Sequence, residues 1–69
     1  MKINQVKQKY QSRIMSIPGV IGIGIGAEGD EQVITVLVVR KNADLEKKIP
    51  SRLDGFRVVI RETGQVRAL

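Results

Sequence analysis

Apolar side chains recur at helical spacing in the first part of the chain. They are separated by three, four, four and three positions, with mostly polar residues between them: Ile3, Val6, Tyr10, Ile14 and Ile17. This period places them along one stripe of an α-helix. The Pro18-Gly19 pair that follows ends the helix, because proline restricts the residue before it and glycine favours a turn. The pattern predicts a helix over residues 3–16.

From Val20 the period changes to two, which is typical of a β-strand. Over residues 20–26, three glycines lie on one face and three isoleucines on the other. Because glycine weakens a strand, the glycine row predicts a close approach to the backbone, either by a packed helix or by a ligand or a partner's backbone. A polar segment at residues 27–31 precedes a second strand at residues 32–40, and the two strands predict a β-hairpin.

The second strand is apolar on both faces, a pattern typical of a strand that is covered on both sides. One face carries Val33, Thr35, Leu37 and Val39. The other face carries Ile34, Val36 and Val38. If both helices lie on one side of the sheet, the first set is a candidate partner interface, for a homodimer or another protein. The alternative is that the helices cover opposite faces and a monomer is self-sufficient.

The rest of the chain adds a short helix and further strand segments. Asn42 is a suitable N-cap for a helix that Pro50 ends, and alternation over residues 56–61 predicts a third strand after a polar turn around residues 53–55. Residues 66–69 are predicted as a short fourth strand. The order α-β-β-α-β-β predicts an α+β two-layer sandwich with two helices and a mixed, three- to four-stranded sheet. We expect the glycine-rich strand to lie between the two strands of the β-α-β crossover.

Length and composition indicate one small domain over residues 1–69. The chain contains no cysteine and no histidine, which excludes a disulfide framework and a Cys/His zinc site. The absence of cysteine fits a reducing, cytoplasmic compartment. No apolar run approaches the roughly 20 residues of a membrane-spanning helix, so we predict a soluble protein without membrane insertion.

Positive charge is concentrated near the beginning of the sequence. The net charge is +5, and residues 1–27 contain no acidic residue. The candidate anion-binding residues there are Lys2, Lys7, Lys9 and Arg13. A second basic stripe would comprise Arg57, Arg61 and Arg67. Such a field attracts nucleic acid or an anionic surface, and the alternative is a solvated helix face.

The glycine-rich segment matches two phosphate-binding patterns without their context. Residues 24–29 fit G-x-G-x-x-G, which requires a helix at the third glycine, whereas here a strand and an acidic turn follow. Residues 26–29 fit the G-x-x-G loop of KH domains, which lies between helices. We therefore expect no cofactor. Because the hydroxyl residues have no histidine or cysteine to activate them, we also predict that the chain is not an enzyme.

Three segments together resemble a known kind of domain: PGVIGIGIG at residues 18–26, IPSRLDG at residues 49–55 and VVIRETGQVRAL at residues 58–69. Over about residues 14–69 the chain resembles the small bacterial domain found ahead of trypsin-like serine peptidase domains. The resemblance implies a module beside a peptidase that itself carries the catalytic His, Asp and Ser. None of the peptidase body is present in these residues, so no catalytic residue is carried over.

The functional expectation is a non-catalytic interaction or assembly module, either a homo-oligomer or an accessory to a trypsin-like peptidase. Two alternatives stay open. The basic residues predict nucleic-acid or anionic-surface binding, and the resemblance alone implies a peptidase prosegment or an inhibitor-like domain.

Overall fold

The computed structural model describes residues 2–63, which form two helices and four strands. In chain order these are α1 (Ile3–Met15), β1 (Val20–Glu28), β2 (Glu31–Val38), α2 (Ala43–Lys48), β3 (Arg52–Leu53) and β4 (Phe56–Glu62). The predicted α+β class and the order α-β-β-α-β-β are confirmed. The fourth strand is the two-residue β3, in a segment predicted as a turn, and the strand predicted at residues 66–69 lies outside the described residues.

The sheet has the strand order β1-β2-β4-β3. β1 pairs with β2 in antiparallel orientation, β2 with β4 in parallel, and β3 with β4 in antiparallel orientation. The expectation that β1 lies between the crossover strands is therefore wrong. The tight turn at Gly29 and Asp30 places β1 on one side of β2, and the connection through α2 brings β4 to the other side.

Both helices pack on the same face of the sheet. Ile14 of α1 and Leu45 of α2 belong to one cluster with Val36 and Val38 of β2, and Ile49, the C-cap of α2, joins it. The first half of α1 packs in a second cluster, comprising Ile3, Val6, Ile34 and Leu53. Tyr10, Ile23 and Val58 contact both clusters, so the core is continuous. Ile34, Val36 and Val38 share one face of β2, so the alternative with helices on opposite faces does not hold.

Local chemistry explains the beginning of α2 and the β3–β4 hairpin. The Asn42 side chain accepts a hydrogen bond of 2.8 Å from the Leu45 amide, which confirms the predicted N-cap. Asp54 and Gly55 both have positive φ, +48° and +90°, between the paired residues Leu53 and Phe56. Two such residues are what a two-residue hairpin turn requires, and Asp-Gly is a favoured pair for it. The turn places Asp54 against α1.

Candidate functional site

One face of the sheet carries no helix within residues 2–63. It consists of the side chains that alternate with the core residues on the three longer strands. Its members are Gly22, Gly24 and Gly26 of β1, Val33, Thr35 and Leu37 of β2, and Arg57, Val59 and Arg61 of β4. We call this surface the helix-free face.

The helix-free face contains three of the four residues predicted as a partner interface. Val33 is only 2% exposed, while Thr35 and Leu37 are half-buried. Val39 is 37% exposed but lies beyond the end of β2. The structure therefore places Val33, Thr35 and Leu37 side by side, and Val39 at the margin of this group.

No helix packs on the glycine row, so for the described residues the packed-helix interpretation is wrong. A Cβ atom on Gly22 would lie 3.3 Å from Leu37 Cδ1, and one on Gly26 would lie 2.7 Å from Thr35 Oγ1. A Cβ atom on Gly24 would meet nothing within 4 Å. Side chains of the neighbouring strand thus lean over the first and third glycines, while the second borders open space.

At one end of the helix-free face, the Arg57 side chain lies across β2 and pairs with two carboxylates. Glu28 and Glu31 are directly opposite each other in the β1–β2 ladder, an arrangement in which like charges repel. The Arg57 guanidinium forms ion pairs with both carboxylates, at 3.3 Å from Glu31. Since Arg57 lies on β4 and Glu28 on β1, the side chain spans β2, where Val33 is buried. Its stem therefore covers apolar surface while its charge is neutralised. The sequence predicts Arg57 as part of a basic stripe, whereas in the structure its charge is paired with these two carboxylates.

Arg61 occupies the other end of the helix-free face. It is opposite Leu37 in the parallel ladder and two residues beyond Val59 on β4. Arg61 is exposed and has no ionic partner among residues 2–63. Arg67, the third member of the predicted basic stripe, lies outside the described residues. The face therefore combines an apolar centre of Leu37 and Val59 with one unneutralised cation.

The four candidate anion-binding residues do not form one patch. At about 100° per residue, Lys9 and Arg13 lie about 40° apart on α1, whereas Lys7 lies about 160° away from Lys9. Lys2 precedes the helix as its N-cap and has extended backbone angles. Lys9 forms an ion pair of 3.2 Å with Asp54, and its Nζ atom lies 5.3 Å from the centre of the Tyr10 ring. Lys2 and Arg13 are exposed. Nucleic-acid or anionic-surface binding stays a prediction that rests on the charge of α1.

The contact between Lys9 and Asp54 shifts the pKa of both side chains. The hydrogen bond from Lys9, supported by one from the Tyr10 phenol, lowers the pKa of Asp54 below its ordinary value. The same hydrogen bond and the carboxylate charge raise the pKa of Lys9. Both side chains are accessible to solvent, so this cluster connects α1 to the β3–β4 turn at the surface.

Within residues 2–63 the surface has no pocket, and no three acidic side chains are grouped as a metal site would require. No helix in this range has the length and apolar character needed to cross a membrane. Comparisons with family models, curated proteins and solved structures find no significant match to the chain.

Proposed function

We propose that the chain is a non-catalytic interaction module that binds a protein partner on its helix-free face. The observation that carries this proposal is the placement of both helices on one side of the sheet. It leaves Leu37 and Val59, both half-buried, on a face that no described element covers. Removing apolar side chains from water on association is favourable, and apolar surface of this kind often marks a binding site.

The charges on the helix-free face favour a partner with an apolar centre and a carboxylate at one side. Arg57 is already paired with Glu28 and Glu31, so it offers little free charge. Arg61 has no such partner in the described part of the chain and borders the apolar centre. A carboxylate opposite Arg61 would provide charge complementarity, which contributes to specificity and to the rate of association.

The resemblance to a segment ahead of trypsin-like peptidase domains suggests such a domain as the partner. In that arrangement the peptidase performs the chemistry, and this chain contributes a binding surface. Because small-molecule sites are concave, the absence of a pocket within residues 2–63 favours a protein partner over a small molecule.

Nuclear magnetic resonance titration of the labelled chain with a trypsin-like peptidase domain tests this proposal. We expect shifts at Leu37, Val59 and Arg61, and we expect Leu37→Glu and Arg61→Glu to weaken binding by about tenfold or more. Arg13→Glu makes the same charge change as Arg61→Glu on the helical side and should leave the affinity unchanged. Shifts confined to α1 would contradict the proposal, and loss of peptidase activity during the titration would identify an inhibitor-like domain.

A further inference from the structure

β1 has a free edge. It is the first strand in the sheet order, and within residues 2–63 no strand pairs with its outer side. The strand is nine residues long, whereas β3 at the opposite end of the sheet has two. A long edge strand with unpaired amides and carbonyls is a template for pairing with another chain.

The backbone hydrogen bonds of β2 show which residues of β1 face outward. Thr63 N donates to Val38 O, so the backbone groups of Val38 point towards β4. Val39 N donates to Gly19 O, so the backbone groups of Val39 point towards the β1 side. The direction in which the backbone N–H and C=O groups point alternates from residue to residue along a strand. Those of Thr35 therefore point towards β1, where they pair with the backbone groups of Gly24. The residues on either side of Gly24, which are Ile23 and Ile25, therefore direct their N–H and C=O groups to the free edge.

We infer that two copies of this chain pair through this edge, β1 against β1 in antiparallel orientation, with a two-fold axis at Gly24. The sequence around Gly24 is nearly symmetric, with isoleucine at both adjacent positions, glycine at the next pair, and Ile21 and Ala27 beyond them. In this register Ile23 is opposite Ile25 of the second copy, and both have outward backbone groups. The pair is therefore self-complementary, as a two-fold interface requires.

The exposure of apolar side chains on β1 also favours this edge as the contact between two copies. Ile21 is 51% and Ile25 is 41% exposed, and these are two of the four large apolar side chains exposed in the described range. Strand pairing would remove part of both from water. Residues 20–27 contain no charged residue, and Glu28 at the end of β1 is already paired with Arg57.

The charges of α1 are compatible with this contact despite the net charge of +5. Lys9 reaches Asp54 in the β3–β4 turn, so the flank of α1 that carries it faces away from the β1 edge. Arg13 lies on the same flank by the helical period, and Lys2 precedes the helix as its N-cap. The opposite flank, which faces the free edge, carries Asn4, Lys7 and Gln11. In the dimer each copy would therefore bring one α1 lysine, Lys7, near the other copy. Lys9 and Arg13 would point away from the contact.

The proposed dimer uses the edge of β1 and leaves the helix-free face of each copy available for a protein partner. Residues that are directly opposite in an antiparallel pair share a face of the sheet. Pairing through β1 therefore forms a continuous eight-stranded sheet with all helices on one side. The two helix-free faces then lie on the other side, where a bivalent arrangement increases the avidity for a partner.

Sedimentation equilibrium of the full chain, from micromolar to millimolar concentration, tests the inference. We expect a species of twice the 7.7 kDa chain mass. Ile25→Pro removes an N–H that points to the free edge and has no acceptor among residues 2–63, and proline is accepted in edge strands. This variant should stay folded by circular dichroism and raise the dissociation constant of the dimer at least about tenfold. Ile25→Val, the matched control, keeps the N–H and should dimerise normally.

Ile25→Lys keeps the backbone donor but places a charge beside the second copy, so it serves as an independent variant if the proline variant unfolds. A wild-type chain that stays monomeric at millimolar concentration overturns the inference. So does a dimer that persists in Ile25→Pro and Ile25→Lys, and its loss in Leu37→Glu would then locate the contact on the helix-free face. Peptidase binding is tested with Leu37 and Arg61 variants, so the two proposals fail separately.

Discussion

The Tyr10 phenol donates a 3.0 Å hydrogen bond to the Asp54 carboxylate across 44 positions of sequence. Lys9 donates to the other carboxylate oxygen at 3.2 Å. Two donors from consecutive residues of α1 thus converge on a turn residue whose φ of +48° is uncommon outside glycine. The helix and the β3–β4 hairpin are thereby connected at the surface by charge-assisted hydrogen bonds.

Asp54→Asn should remove a measurable part of the acid dependence of folding. Because the pKa of Asp54 is lowered in the folded chain, its stabilising effect is present above the unfolded pKa and is lost as the pH falls through the folded pKa. The expected window is below about pH 4. Thermal unfolding at pH values from about 2 to 7, on both sides of the ordinary aspartate pKa of about 3.9, measures the change.

Asparagine tolerates positive φ, so the turn itself is retained in the Asp54→Asn variant. Asp30→Asn is the matched control, since Asp30 also lies in a hairpin turn but has no ionic contact within residues 2–63. If the melting temperatures of the Asp54 variant and the wild type fall equally between pH 5 and pH 2, which span the ordinary titration of aspartate, the cluster does not contribute to the acid dependence.

Arg57→Gln should destabilise the fold, whereas Arg61→Gln should not. The first change leaves Glu28 and Glu31 opposite each other without a cation and removes part of the cover over Val33. Because the arginine side chain is 41% exposed, we expect a loss of about 1 kcal/mol in the free energy of unfolding. Arg61 has no ionic partner among residues 2–63, so its change should stay within about 0.5 kcal/mol. Urea denaturation measures the free energy of unfolding of both variants. Equal losses would show that the ion pairs of Arg57 with Glu28 and Glu31 do not stabilise the fold.

Lys2→Asp should stabilise α1. Lys2 is at the N-cap position, its side chain makes no capping hydrogen bond, and the first turn of α1 contains no acidic residue. An aspartate there accepts a backbone N–H and interacts favourably with the positive end of the helix dipole, for a gain of about 1 kcal/mol. Urea denaturation at low salt checks the gain. Lys7→Asp, which makes the same charge change at a position inside α1, should give no gain; if both variants behave alike, net charge and not capping is responsible.

Elements specified by neighbouring residues were predictable from the sequence. The helical period of Ile3, Val6 and Ile14, the cap at Asn42 and the two-residue period of β1 each follow from interactions within a few positions. The β3–β4 hairpin also had a local signal, the Asp-Gly pair between Leu53 and Phe56, although that segment was interpreted only as a turn. Local chemistry therefore determined most of the element order.

Relations between distant residues were not predictable in the same way. The position of β1 at the edge depends on which side of β2 the crossover joins, and no local pattern encodes that choice. The pairing of Arg57 with Glu28 and Glu31 requires three strands to be aligned first. For the same reason the helix-free face could be proposed from the apolar pattern of β2, but Arg61 was not distinguished from the neutralised Arg57.

The glycine row on β1 provides the sharpest test of the side-chain packing on the helix-free face. Gly26→Ala would place a Cβ atom 2.7 Å from Thr35 Oγ1, and the branched Thr35 side chain has few alternative rotamers. We expect a loss of about 1–2 kcal/mol in the free energy of unfolding. Gly24→Ala meets no atom within 4 Å and should be neutral or stabilising by up to about 1 kcal/mol, because alanine loses less backbone entropy on folding. Combining Gly26→Ala with Thr35→Ala should restore most of the loss; an undiminished loss in the double variant would mean that backbone conformation, and not the Thr35 contact, requires glycine at this position.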